Sequence, residues 1–307
     1  MMGNKVSIIG AGAVGATLAQ RVLESGIADV VLIDIVKNMA CGKALDLLDS
    51  APIIGHEKNI IGTDSYDAIK SSDIVVITAG FPRKPGMSRE ELISKNAGIV
   101  KEVSDNVKAY TPNSIVIVVT NPLDTMTYLA YKTTGLKREK VFGMAGVLDG
   151  ARFIALIALE LKVPRKSVET FILGSHGDTM VPVLSKTKVS GKPLESLMPK
   201  DRIESLISRT RDRGAEIVKL FGNGSAYYSP SAAVFKMIGA ILNNKAETLV
   251  VSAYLNGEYG LKDICIGVPC KIGRLGIEKI VELDLSKEER IALDKASQFI
   301  RGSNRLI

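Results

Sequence analysis

Tryptophan is missing from all 307 residues, and Phe and Tyr are sparse at 7 and 8. Proteins that grip nucleic acid by stacking interleave aromatics with basic stripes. The net charge here is +7, but Lys and Arg are scattered along the chain among Asp and Glu, so no nucleic-acid partner is expected. No apolar run reaches the ~20 residues that span a bilayer, so no membrane partner is expected either. Met1–Lys5 leads straight into a strand-like run, without the apolar stretch and cleavage site of a secretory signal. A cytoplasmic protein is the expectation. The 3 cysteines, Cys41, Cys265 and Cys270, are odd in number and lie in apolar surroundings. They read as free thiols packed in a core, in a reducing compartment, and not as a disulfide framework or a metal site.

Hydrophobic residues make up 46% and charged residues 24%, which suffices for a sizeable core in two domains or one large one. Two textures meet near residue 147. Before it, strand-like runs at Val6–Ile9, Val30–Ile33, Asn59–Ile61, Ile74–Thr78 and Ile115–Val119 alternate with helical stretches such as Val14–Ser25 and Ser88–Tyr110. Several of these runs are continuously apolar, as strands buried on both faces of a parallel sheet should be. After it, helices at Leu148–Lys162, Asp201–Phe221, Ser231–Asn243 and Lys287–Arg301 mix with strands at Val168–Leu173, Thr248–Leu255, Ile264–Val268 and Ile277–Leu283. That is an α+β texture, and it predicts domains over 1–146 and 147–307.

Gly10-Ala11-Gly12-Ala13-Val14-Gly15 follows the first strand and opens the first helix. The first glycine permits a tight turn, the second lets a pyrophosphate approach the backbone, and the third lets helix and strand pack closely. A second strand ends at Asp34, where a carboxylate binds the adenosine ribose hydroxyls and repels a 2′-phosphate. The fold class is therefore α/β: a doubly wound parallel-sheet dinucleotide-binding (Rossmann) domain followed by an α+β substrate domain. The expected cofactor is NAD.

Only two histidines are present. His56 lies in a polar loop and reads as a surface residue. His176 lies between glycines in Gly174-Ser175-His176-Gly177-Asp178, just past an apolar strand. An imidazole there can exchange a hydroxyl proton near neutrality, or it can be an ordinary turn histidine. Asp149 is a candidate to orient it, and Arg152, three residues on, shares a helix face and offers a fork for a carboxylate. On spacing alone the same pair reads as an ordinary intrahelical ion pair. Between Ala79 and Arg89 a Gly- and Pro-bearing loop carries Arg83, Lys84 and Arg89 at the carboxyl end of a strand. It is a lid over a ligand or a solvated basic loop. Val119-Thr120-Asn121-Pro122 ends another apolar strand at the same edge of the sheet.

Taken together, the Gly10–Gly15 loop with Asp34, the segment Ala79–Arg89, Asn121-Pro122, Leu148–Arg152 and Gly174–Asp178 come in the order found in the lactate/malate dehydrogenase superfamily. The chain resembles its lactate-dehydrogenase-like malate dehydrogenase group from Asn4 to the terminal helix. The resemblance implies that His176 exchanges the substrate proton, with Asp149 as its carboxylate partner. It implies that Arg152 anchors the C1 carboxylate, Arg89 polarises the C2 oxygen, and Asn121 contacts both substrate and nicotinamide. Asn96, Val119, Thr120 and Asn121 match cofactor-contacting positions, beside Gly10, Ala11, Gly12, Ala13, Val14, Gly15 and Asp34. Arg83 stands where malate enzymes carry Arg and lactate enzymes typically carry Gln. Gly150 departs from the Ser most common in its motif. The implied partner is a small dicarboxylate, malate or oxaloacetate, and the implied assembly is a homodimer or homotetramer.

The nearest alternative is a lactate or other 2-hydroxy acid dehydrogenase on the same scaffold, and Arg83 speaks against it. An NAD-dependent glycosidase would need Cys and His metal ligands in the second domain, where the one histidine is already assigned. A non-catalytic NAD sensor would have no use for His176, Asp149 and three arginines together.

Overall fold

The computed structural model describes residues 3–36, 38–82, 87–222 and 224–307. Short apolar strands alternate with helices through the first half: β1 (Lys5–Ile9), α1 (Ala13–Glu24), β2 (Asp29–Ile33), α2 (Met39–Ile54), β3 (Ile60–Thr63), β4 (Ile74–Ile77), α3 (Arg89–Tyr110), β5 (Ile115–Val118), α4 (Leu123–Thr134) and β6 (Val141–Met144). The second half follows with α5 (Gly146–Leu161), β7 (Val168–Glu169), β8 (Ile172–Gly174), β9 (Met180–Pro182), β10 (Lys188–Val189) and β11 (Lys192–Pro193). It closes with α6 (Lys200–Phe221), α7 (Tyr228–Leu242), β12 (Glu247–Asn256), β13 (Lys262–Gly273), β14 (Gly276–Ile280) and α8 (Lys287–Asn304).

The first six strands pair in parallel in the order β3-β2-β1-β4-β5-β6, the doubly wound arrangement. Alternation explains why these strands are apolar throughout. Ile8, Leu32, Val76 and Ile117 point to one face and join α1 and α7, while Ile9, Ile33, Val75 and Val116 point to the other and join α3 and α4. The sheet continues past the first half. β6 pairs antiparallel with β12, which leads through β13 to β8 and β9, with β14 on the side of β13. The expected strand over Val168–Leu173 is in fact two short pieces. β7 joins a small sheet with β10 and β11, and β8 joins the main one. A third core, built from Phe153, Leu156 and Ile157 of α5 and Ile203 and Leu206 of α6, lies under that small sheet.

Helix starts follow the local chemistry. Ser88 caps α3, its hydroxyl accepting the Glu91 N–H at 3.0 Å, while the Glu91 carboxylate accepts the Ser88 N–H at 2.9 Å. Cys265 and Cys270 are buried on β13, and burial pushes both thiols upward.

Candidate active site

The carboxyl ends of β1, β2, β4 and β5 meet at one edge of the sheet. Gly10 turns the chain there at φ 111°, and a Cβ on Gly15 would lie 1.9 Å from the Gly10 carbonyl oxygen, so the first helix can press onto the turn only because that position is glycine. Gly12 caps α1 without a side-chain bond, leaving the first-turn amides of Ala13, Val14 and Gly15 for a ligand. Asp34 follows β2 directly. Its Oδ2 accepts the Ala11 N–H at 2.7 Å, and Oδ1 accepts the Val36 N–H at 2.9 Å. Lys43, on α2, donates its ammonium to the Ala11 carbonyl, so the two peptides that flank Ala11 are held by an acid on one side and a base on the other. Beside the loop lies a cavity of about 270 Å³ lined by Gly10, Gly12, Asp34, Tyr66, Phe81 and Glu102. Burial, together with the charges of Glu102 and Asp34, pushes the Tyr66 phenol up to about 12.

The loops after β4 and β5 are stapled together. Asn96 is buried on α3, accepts the Phe81 N–H at 2.7 Å, and donates to the Asn121 carbonyl at 2.7 Å. Thr120 donates to the Ala79 carbonyl at 2.6 Å, and Val119 is buried beside it. Arg83 lies outside the described residues. Arg89, at the start of α3, sits with its guanidinium 3.7 Å above the centre of the Phe299 ring and donates to the Ser303 hydroxyl at 2.8 Å.

The second half contributes the groups with proton chemistry. Gly174 ends β8 at φ 85°, where a Cβ would lie 2.8 Å from the Thr179 carbonyl oxygen, and the turn it starts presents His176. His176 Nδ1 lies 2.7 Å from Asp149 Oδ2, and Asp149 Oδ1 accepts from Arg152 Nη1 at 3.3 Å. All three are secluded, with side chains 12%, 6% and 14% exposed respectively. A carboxylate can only accept, so Nδ1 carries the hydrogen and Nε2 offers its lone pair. Burial disfavours a charged ring, but the charge and hydrogen bond of Asp149 outweigh it, and the His176 pKa is raised. Burial lowers the Arg152 pKa, helped by Arg213 and opposed by Asp149. Arg152 Nε is buried with no partner among the described residues. An orphaned donor beside a proton carrier suits an anionic substrate. A Cβ on Gly150, within α5, would meet nothing within 4 Å, so the position has room for the Ser usual in this motif.

The fold thus brings together His176, Asp149 and Arg152 at one point, and the Gly10–Gly15 loop, Asp34, Asn96 and the 119–121 segment along the sheet edge. Two residues were not singled out from the sequence. Lys43 gives no local signal in its helix. Asp124 reads as an ordinary acid in a first helical turn, yet it is buried and bonded to the His176 backbone. No group of three or more His, Cys, Asp or Glu among the described residues is placed to hold a metal ion.

Comparison with known proteins agrees with this geometry. Residues 4–143 match the lactate/malate dehydrogenase NAD binding domain, and residues 146–303 match the lactate/malate dehydrogenase alpha/beta C-terminal domain. A malate dehydrogenase of Trichormus variabilis is 54% identical over 297 residues, covering 97% of this chain and 92% of its own. The solved malate dehydrogenase of Cryptosporidium parvum superposes with a TM-score of 0.96 at 39% identity, covering 99% of this chain and 98% of that one. A lactate dehydrogenase of the same organism, solved with lactic acid and nicotinamide adenine dinucleotide, gives 0.97 at 39% identity over 100% of this chain and 98% of its own. The chain belongs to the lactate/malate dehydrogenase family.

Proposed function

We propose that this protein is an NAD-dependent malate dehydrogenase that interconverts (S)-malate and oxaloacetate. The observation that carries the reading is the His176–Asp149–Arg152 group, a raised imidazole with a partnered Nδ1 beside a buried guanidinium whose Nε lacks a partner. The cofactor site fits NAD. The turn at Gly10 and Gly15 has no room for a side chain, the first-turn amides of α1 lack a side-chain cap, and Asp34, beside that turn, is the carboxylate that this reading sets against a 2′-phosphate. Gly10–Gly15, Asp34, Asn96 and Val119–Asn121 hold the cofactor in this reading. NAD, when bound, supplies the hydride acceptor.

The chain's own residues do the rest. Arg152 binds the C1 carboxylate, and Asn121 and Arg89 orient the C2 oxygen. His176 Nε2 takes the C2 hydroxyl proton during oxidation and returns it during reduction. Asp149 fixes the ring and stabilises its cationic form. Arg83 pairs with the second carboxylate of the dicarboxylate. Closure of the 79–89 segment excludes water, which strengthens each of these charge interactions. In this division of labour residues 1–146 carry the cofactor and residues 147–307 supply the proton carrier and the C1 anchor.

The same reading makes the protein a cytoplasmic homodimer or homotetramer. Leu45, Ile53 and Ile54 on α2 and Ile61 beside them are 63%, 85%, 52% and 58% exposed, an apolar surface suited to a second copy. No helix among the described residues is long and apolar enough to cross a membrane. The test is a steady-state assay of NADH oxidation with oxaloacetate and pyruvate side by side. A strong preference for oxaloacetate is expected, and equal or better use of pyruvate overturns the assignment.

A further inference from the structure

Asp124 stands in the first turn of α4, three residues after Asn121, and is only 5% exposed. One carboxylate oxygen accepts the backbone N–H of His176 at 2.9 Å, and the other accepts the Ser252 hydroxyl on β12 at 2.7 Å. The turn that carries His176 begins at Gly174 and continues through Gly177, both at positive φ, so its backbone is intrinsically permissive. Asp149 holds the ring from α5, and Asp124 holds the main chain of the same residue from α4. His176 is thereby fixed at both ends by elements from both halves of the fold.

Hydrogen bonding alone does not call for a carboxylate here, because a neutral amide could accept the His176 N–H with its oxygen and donate its NH2 to the Ser252 hydroxyl, which can also accept. What a carboxylate adds is charge, and a buried charge is expensive unless something nearby uses it. Burial pushes the Asp124 carboxyl up to about 6, against the lowering effect of its bonds to Ser252 and His176. The titratable groups in reach are His176 on the turn, Asp149 on α5 and Cys265 on β13, whose thiol burial holds protonated. His176 in turn feels Asp149 and Asp124, which favour its charged form, and Arg152, which opposes it.

We propose that Asp124 is a positioning residue for the reaction at His176, seating the His176 backbone against α4 and β12 and supplying a second negative charge that favours the protonated ring. The proposal rests on His176 being the proton carrier of the dehydrogenase reaction. During oxidation the ring gains the substrate proton and becomes cationic in a secluded site. A fixed carboxylate behind it stabilises that state without contact with the substrate.

Two histidines make the test direct, since imidazole signals in an NMR titration can be assigned by removing His56. In Asp124→Asn, which keeps an acceptor for the His176 N–H, the His176 pKa should fall by about half a unit or more. The pH limb of kcat/KM for oxaloacetate should move down with it, while the Kd for NADH stays within about twofold. In Asp124→Ala the backbone anchor is lost as well, and kcat should fall by a further factor of about ten. If Asp124→Ala does not fold, the Asn variant carries the test alone. An Asn variant with an unmoved His176 titration overturns the proposal. So does one whose titration moves while the rate profile does not, or a folded Ala variant with parental turnover. Failure of the dehydrogenase assignment would look different, with no malate or oxaloacetate turnover in the parent protein while the His176 titration still reports on Asp124.

Discussion

The guanidinium of Arg89 lies flat on the Phe299 ring, 3.7 Å from its centre, and donates to Ser303 at 2.8 Å, so the first residue of α3 is docked on the last helix of the chain. In the proposed reaction Arg89 must reach the C2 oxygen of the substrate, so this docking competes with the closed arrangement. A cation over an aromatic face is worth about 0.5–2 kcal/mol, enough to shift an open–closed balance several-fold. Replacing Phe299 with Leu keeps an apolar support and removes the π face. KM for oxaloacetate, and the Ki of an unreactive dicarboxylate, should then fall about two- to fivefold. An unchanged or higher Ki would show that the Arg89–Phe299 contact does not oppose closure.

In the proposed reaction His176 sets the pH dependence. Its raised pKa means that the protonated ring, needed to reduce oxaloacetate, persists above the usual histidine range. The kcat/KM for reduction should fall as pH rises through the raised value, while that for malate oxidation rises through the same value. Asp149→Asn removes the main stabiliser of the cation, so both limbs should move to lower pH and turnover should drop. The same sign holds for stability. The His176–Asp149 ion pair contributes most at low pH, and that contribution is lost as pH rises through the folded-state pKa. His176→Ala should remove most turnover and leave NADH affinity nearly unchanged. Retained turnover with collapsed NADH binding would make His176 a structural residue.

How much of this was legible in the sequence depends on how local the signal is. The Gly10–Gly15 turn and Asp34 are short-range features, and the turn's geometry depends on the glycines that announce it. Asp149 and His176 are 27 residues apart, but each sits in a distinctive local motif, and the fold closes them to 2.7 Å. Arg89 and Ser303 are 214 residues apart, and nothing near either announces the other. Asp124 was opaque for a different reason. An acid in a first helical turn ordinarily faces solvent and the helix dipole, and only the antiparallel arrival of β12 at β6 buries it. The same pairing runs one sheet through both halves, which a change of texture near residue 147 does not reveal.

Asp34 should decide between the two nicotinamide cofactors. Its carboxylate is held in place by the Ala11 and Val36 amides, so it cannot easily swing away from a 2′-phosphate. NADH should be preferred to NADPH by orders of magnitude in kcat/KM, because like charges would meet in a partly buried site. Asp34→Ser should narrow that ratio, with Lys43, bonded to the carbonyl of the same residue Ala11, near enough to help accept the phosphate. Comparable efficiency with NADPH in the parent protein would sink the assignment of Asp34.

In the proposed function substrate choice turns on Arg83, which lies outside the described residues. Oxaloacetate carries a second carboxylate that pyruvate lacks. Enclosing that charge in a poorly hydrated site without a counter-ion costs several kcal/mol, on the order of 3–5 when one partner of a buried pair is missing. In the proposed reaction Arg83 supplies the counter-ion, and the same Arg disfavours pyruvate, beside which it would be left unpaired itself. Arg83→Gln should therefore erode or reverse the preference for oxaloacetate. The change should appear as a loss of oxaloacetate kcat/KM, with pyruvate turnover flat or rising, since the C1 anchor proposed for Arg152 would serve both acids alike. Parallel kinetics on the two keto acids measure the ratio directly. If Arg83→Gln leaves that ratio where it was, the second carboxylate is recognised by another group in the cleft.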